Sequence, residues 1–157
     1  MITIQLGLLV LASKPKIDTL FFVTSDCPIA KRFVPEIKRI MKSYKDVSTF
    51  KFMYEDSGVS VDKLKAHHSE YNIKCPMALD DGRGAAKKYG VKAVPTAVVK
   101  NDKGEVLYIG RIDDSYGSDF RWHPAKSQDL IYALQALREG NAVPVKSTPV
   151  IGCTLGG

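Results

Sequence analysis

The sequence predicts an α/β sandwich built on a mixed central β-sheet, and three observations carry that expectation. Strand-like runs alternate with helical patterns over the first ninety or so residues. Two more strand patterns follow, joined by the hairpin signal Asn101-Asp102-Lys103-Gly104. A last amphipathic pattern then precedes a tail containing Pro and Gly. Strand–helix–strand–helix gives the parallel part of a sheet, the hairpin adds an antiparallel part, and helices cover the faces. A length of 157 residues suits one domain with one core.

The elements follow in chain order. Ile17 to Thr24 is apolar, aromatic and β-branched, and reads as a buried strand. Thr24-Ser25-Asp26 ends it with turn and capping chemistry. From Pro28 to Tyr44, Ile29, Phe33, Ile37, Ile40 and Met41 recur at helical spacing, and Pro35 is expected to kink that helix. Val47 to Tyr54 alternates and predicts a second strand. Ser60 caps a helix whose inner face carries Val61, Leu64, His68 and Tyr71. Cys75 to Asp80 is a strand or extended approach, and Asp81-Gly82 turns the chain. Gly84 to Tyr89 is a short helix closed by Gly90. Val94 to Lys100 and Glu105 to Arg111 are the hairpin strands. Gln128 to Arg138 is the last helix, with Leu130, Ile131, Leu134 and Leu137 inward and Gly140 at its end.

Composition narrows the function. The net charge of +6 is spread over scattered lysines, with no basic run interleaved with aromatics. Nucleic acid is therefore not an expected partner. No segment reaches the length of a membrane-spanning helix. Three cysteines, Cys27, Cys75 and Cys153, are too few for a disulfide scaffold and lack zinc spacing, and His67, His68 and His123 form no ligand pattern with them. No metal site and no cofactor are expected. Residues 1–12 contain a short apolar run, and Val10-Leu11-Ala12 before Ser13 resembles a signal-peptidase site. Read that way, the protein is periplasmic or secreted. Read instead as a strand or short helix over the core, the segment leaves it cytoplasmic.

Cys27 is the most informative residue. It stands where a strand hands over to a helix N-terminus, with Pro28 at the first helical position. Unpaired N–H groups and the positive end of the helix dipole favour thiolate over thiol there. Such a setting lowers a cysteine pKa from about 8.5 to somewhere between roughly 3.5 and 7.5. The position is also the C-terminal edge of a parallel sheet, where α/β folds place their sites.

Several stretches together resemble a thioredoxin-fold redoxin. They are Phe21-Phe22-Val23-Thr24-Ser25-Asp26-Cys27-Pro28, Tyr89-Gly90-Val91 leading to Val94-Pro95-Thr96, and Asp102-Lys103-Gly104-Glu105-Val106. Tyr108-Ile109-Gly110-Arg111-Ile112-Asp113-Asp114 and the tail from Gly140 through Thr148-Pro149 to Gly152-Cys153 are similar to stretches of the peroxiredoxin-like branch of the thioredoxin superfamily. The resemblance runs from Ile17 to the end. It implies a thioredoxin-like three-layer sandwich, with a redoxin domain over 13–140 and an irregular tail over 141–157.

The resemblance also implies roles. Cys27 matches the nucleophilic cysteine. Thr24 matches the hydroxyl residue of the peroxiredoxin T-x-x-C motif. Pro95 matches the cis-proline that lies against the active-site sulfur. Three departures accompany these matches. Ala30 stands where a thioredoxin has its second cysteine, Leu20 where the peroxiredoxin motif has proline, and Thr96 near where peroxiredoxins bring an arginine. Arg111 or Arg32 is then the candidate for the missing cation. Pro28, Thr96 and Arg111 are candidates to line a substrate site.

The expected activity is a thiol-dependent oxidoreductase with one nucleophile, Cys27, that reduces peroxides or exchanges disulfides. A sulfenic acid or mixed disulfide on Cys27 needs resolving, and Cys153, Cys75 or an external thiol reductant can supply the second sulfur. The alternative is a redox-inert thioredoxin-fold module that binds a protein partner or copper in the same groove.

Overall fold

The computed structural model describes residues 16–156, so the expectations for residues 1–12 lie outside the described residues. Strand β1 (Ile17–Val23) leads into helix α1 (Pro28–Ser43), strand β2 (Ser48–Tyr54), helix α2 (Val61–Glu70) and strand β3 (Met77–Leu79). A single 3-10 turn (Asp81–Arg83) precedes helix α3 (Gly84–Tyr89), strand β4 (Ala93–Val94), strand β5 (Thr96–Asn101) and strand β6 (Val106–Gly110). Helix α4 (Asp129–Arg138) and strand β7 (Cys153–Thr154) complete the chain.

The main sheet has five strands in the order β3-β2-β1-β5-β6. β1, β2 and β3 pair in parallel, while β5 pairs antiparallel with both β1 and β6. The sheet is therefore mixed, as the sequence predicts. A second, two-stranded sheet joins β4 to β7.

Side-chain alternation builds the layers. Phe21, Phe50 and Phe52 cluster on one face, where His68 of α2 meets Phe52 edge-on. Helices α1 and α2 connect successive parallel strands that advance in one direction, so right-handed crossovers put both on this face. Helix α4 joins them, with Tyr44 Oη 3.2 Å from Gln135 Oε1. Phe22, one residue along β1, points the other way and packs against Tyr89 of α3. Phe21, Phe22, Val98, Val99 and Ile37 are fully buried, so β1 lies at the centre of the core. Residues buried on both faces explain why β1 reads as a continuous apolar run rather than an alternating one.

Helix α1 runs through Pro35 as one 16-residue element, over the span the sequence predicts. Pro35 is on its exposed side, where water can take the carbonyl left without an amide partner. The predicted strand 94–100 is divided, because the Val94–Pro95 peptide is cis and the chain leaves β4 to enter β5.

The tail is irregular over much of its length, yet it is held at defined points. Ile109 N–H donates to Lys146 O at 2.9 Å, and Thr148 N–H donates to Ile109 O at 3.1 Å. The Thr148 hydroxyl bonds Tyr108 Oη at 2.7 Å and accepts from Arg111 N–H at 3.1 Å. A Cβ on Gly110 would lie only 2.8 Å from Thr148 N, so the absence of a side chain there lets the tail approach. The Tyr108–Arg111 stretch and the tail stretch form one contact.

Candidate active site

Cys27 is the N-cap of α1. Pro28 occupies the first turn, and the N–H of Ala30 points at Cys27 Sγ from 3.4 Å. The sulfur thus occupies the place of a capping oxygen, facing the end of a 16-residue helix dipole. The loop before it is pinned from below: Asp56 accepts from Ser25 N–H at 3.0 Å and also from the Ser25 hydroxyl. Glu55 N–H donates to Val23 O at 2.8 Å, which locks the end of β1 to the end of β2.

The second sulfur comes from the far end of the chain. Cys153 forms a disulfide with Cys27 across 126 residues of sequence, with a Cα–Cα separation of 6.1 Å. The tail reaches this point as a strand. β7 lies antiparallel on β4, with Cys153 opposite Val94, and Leu155 N–H donates to Lys92 O at 2.8 Å. Cys27 Sγ is 3.7 Å from Val94 O, so both cysteines meet at the residue that precedes the cis-proline, Pro95.

Gly152 makes the approach feasible. A Cβ there would lie 2.7 Å from the Val94 carbonyl carbon, well inside contact distance. Replacing Gly152 with alanine is expected to push β7 off β4 and open the Cys27–Cys153 pair. An overpacking cost of about 1–3 kcal/mol predicts a fall of about five- to hundredfold in the equilibrium constant for disulfide formation. Thiol counts after equilibration in glutathione buffers measure it, and an unchanged constant would remove the role given to Gly152.

A cleft of about 430 Å³ opens beside the disulfide, lined in part by Thr24, Pro28, Glu55, Arg83 and Leu155. Glu55 is only 1% exposed, and neither of its carboxylate oxygens has a hydrogen-bond partner among the described residues. Burial, reinforced by the nearby Asp80 carboxylate, pushes its pKa from 4.5 to about 8. Burial also works to raise Asp80, but the N–H groups of Ala85 and Ala86, at 3.0 and 2.8 Å, hold it below its ordinary value. Arg83 lies between these acids and the tail and donates to Gly156 O. The sequence signal for Glu55 was its place at the C-terminal end of β2, the edge where sites gather. Arg83 followed an Asp-Gly turn and gave no signal of its own.

The residues singled out from sequence divide into two groups. Cys27, Cys153, Thr24 and Pro28 border the cleft, and Pro95 adjoins Val94 in its wall. Thr96, Arg111 and Cys75 do not border it. Thr96 is buried, and its hydroxyl donates to Ala93 O at 2.7 Å. Arg111 lies outside the cleft, and its Nε binds Asp129, the first residue of α4, at 2.7 Å. Asp129 is thus its carboxylate partner. Arg32 lies over the Trp122 ring, 4.8 Å from its centroid. The cation in the cleft is Arg83 instead. Cys75 is a free thiol in a separate groove of about 1060 Å³, and burial pushes its pKa up to about 11.

A mixed sheet, a cysteine capping the helix after its central strand, and a cis-proline beside that sulfur define a thioredoxin-fold redoxin. The Thioredoxin-like family matches residues 15–106, more than half of the chain, and the chain belongs to that family. It is 23% identical over 92 residues to the thiol-disulfide oxidoreductase ResA of Halalkalibacterium halodurans, covering 53% of this chain and 47% of ResA. The chain thus spans about half the length of this curated relative. A conserved protein from Geobacillus kaustophilus has a similar structure, with a TM-score of 0.80 and 24% identity over 92% of this chain and 78% of that one. A protein from Sinorhizobium meliloti matches with a TM-score of 0.77 and 18% identity, covering 90% and 79% of the two chains. Both likenesses show the fold.

Proposed function

We propose that the protein is a thiol–disulfide oxidoreductase whose redox couple is Cys27 and Cys153. The observation that carries this reading is the tail strand that delivers Cys153 to the capping cysteine of α1. Ala30 removes the usual partner three residues after Cys27, and the tail supplies a second sulfur in its place. The name of the relative ResA points the same way. The functional unit on this reading includes the tail, because residues 13–140 lack Cys153.

Thr24 and Arg83 beside Cys27 favour a second reading, peroxide reduction. There Cys27 would pass through a sulfenic acid that Cys153 condenses to the same disulfide. Export to an oxidising compartment suits either reading, since a disulfide persists there. One experiment separates the activities. The reduced full chain is mixed with a disulfide-bonded protein substrate or with dilute hydrogen peroxide, and the loss of free thiols is followed in time. The proposal expects oxidation by the disulfide substrate to be the faster at equal concentration. Faster oxidation by peroxide would replace it with the second reading, and two thiols that neither oxidant touches would end both.

A further inference from the structure

Which sulfur an incoming reductant attacks follows from how differently the two are placed; the inference rests on the proposed Cys27–Cys153 couple. Cys27 is 2% exposed, with its sulfur between the Ala30 N–H and the Val94 carbonyl. Cys153 is partly exposed, on a two-residue strand whose neighbours Thr154 and Gly156 face solvent. A thiolate attacks one sulfur and expels the other in line with the bond, so the attacked sulfur needs open space and the expelled one needs a stable anion. The first requirement selects Cys153. The second selects Cys27 as leaving group, because the hydrogen bond from Ala30 N–H and the α1 dipole stabilise its thiolate.

We propose that external thiols reduce this protein by attacking Cys153, which carries the mixed disulfide, while Cys27 leaves as the buried thiolate. In the first step the reductant thiolate forms a bond to Cys153 Sγ, and the Cys153–Cys27 bond breaks with its electron pair going to Cys27. The reductant sulfur is oxidised to the disulfide level, Cys27 is reduced, and no proton is needed. A second thiolate then attacks the reductant's sulfur in the mixed disulfide, leaving Cys153 reduced and the reductant as its disulfide. Cys153 then acts as the contact sulfur and Cys27 as the store of the second electron pair. The tail has a structural reason to take the first role. It is held at this end by one short strand pair, by Leu155, which bonds Lys92 O and packs on the core, and by the Arg83–Gly156 contact, none of which involves α1, so a mixed disulfide on Cys153 can move with the tail while α1 stays in place.

The test uses the oxidised full chain with glutathione as the probe. The reaction is stopped within seconds by acid and N-ethylmaleimide, and the chain is then cut at lysine and arginine. Cys27 falls on residues 17–31 and Cys153 on residues 147–157, so mass spectrometry separates them. Glutathione is expected on residues 147–157, with maleimide on 17–31, in about tenfold or greater excess over the reverse arrangement. Glutathione on Cys27, or an even division, overturns the assignment. The untreated protein supplies the independent check. If residues 17–31 and 147–157 are not linked there, the redox couple itself fails, whereas a linked pair with glutathione on Cys27 defeats only the order of attack.

Discussion

Replacing Cys27 with serine is expected to abolish thiol–disulfide turnover. Turnover by an internal couple moves two electrons through a bond between two sulfurs, and the variant retains only Cys153 and the free Cys75. Cys75 cannot stand in, because it lines a different groove and burial raises its pKa to about 11, leaving almost no thiolate at neutral pH. Cys153→Ser is expected to differ in kind. It leaves Cys27 as the cap of α1 with the Ala30 N–H aimed at it, so the sulfur keeps the environment that favours an anion. Its thiolate absorbance near 240 nm should rise with a midpoint below the ordinary value of about 8.5. Thermal unfolding of both variants under reducing conditions should match the reduced wild type, since serine is close in size and neither sulfur then carries a crosslink. Turnover surviving in Cys27→Ser would remove this residue from the mechanism. A Cys27 midpoint at or above the ordinary value in Cys153→Ser would remove the helix from it.

The fold was legible because its strands and helices carry strong local patterns. β1 ends in the apolar run Leu20 to Val23, α1 repeats its buried residues at helical spacing, and the 101–104 turn is a hairpin signal. The position of Cys27 followed from strand, cap and proline acting together. What could not be read was long-range geometry. Arg111 was a reasonable cation for the site, but it pairs with Asp129, eighteen residues later, outside the cleft. Cys153, in a Gly-flanked tail, was a stronger candidate than Cys75 to meet Cys27, but spacing could not show how the tail arrives. Their difference depends on Gly110, whose missing side chain lets Thr148 of the tail approach β6, and on Gly152, whose missing side chain lets β7 lie against Val94. Glu55 could not be picked out beforehand, because its environment is set by the end of β1 and by Asp80 and Arg83, which are distant in sequence.

Glu55 sets the second large expectation, on stability as a function of pH. In the folded protein its pKa is raised to about 8, first by burial and then by Asp80, against an ordinary 4.5. Between those values the folded state binds a proton that the unfolded state has lost. Stability is therefore fully present below pH 4.5 and falls as pH rises through about 8. The slope from this one group is about 1.4 kcal/mol per pH unit, a few kcal/mol across the window. Arg83 faces the same carboxylate and works in the opposite direction, while Asp56 adds to the rise, so the net effect belongs to the cluster. Other carboxylates, Asp80 among them, have lowered pKa values and give slopes of the opposite sign at lower pH. The comparison that isolates Glu55 is with Glu55→Gln, which keeps its shape and stays neutral. Denaturant midpoints measured at pH 5, 6, 7 and 8 should show the variant gaining on the wild type at each step above pH 5. Parallel curves would mean that the Glu55 carboxyl is ionised and solvated in the folded protein, and that the cleft beside the disulfide is wetter than its packing shows.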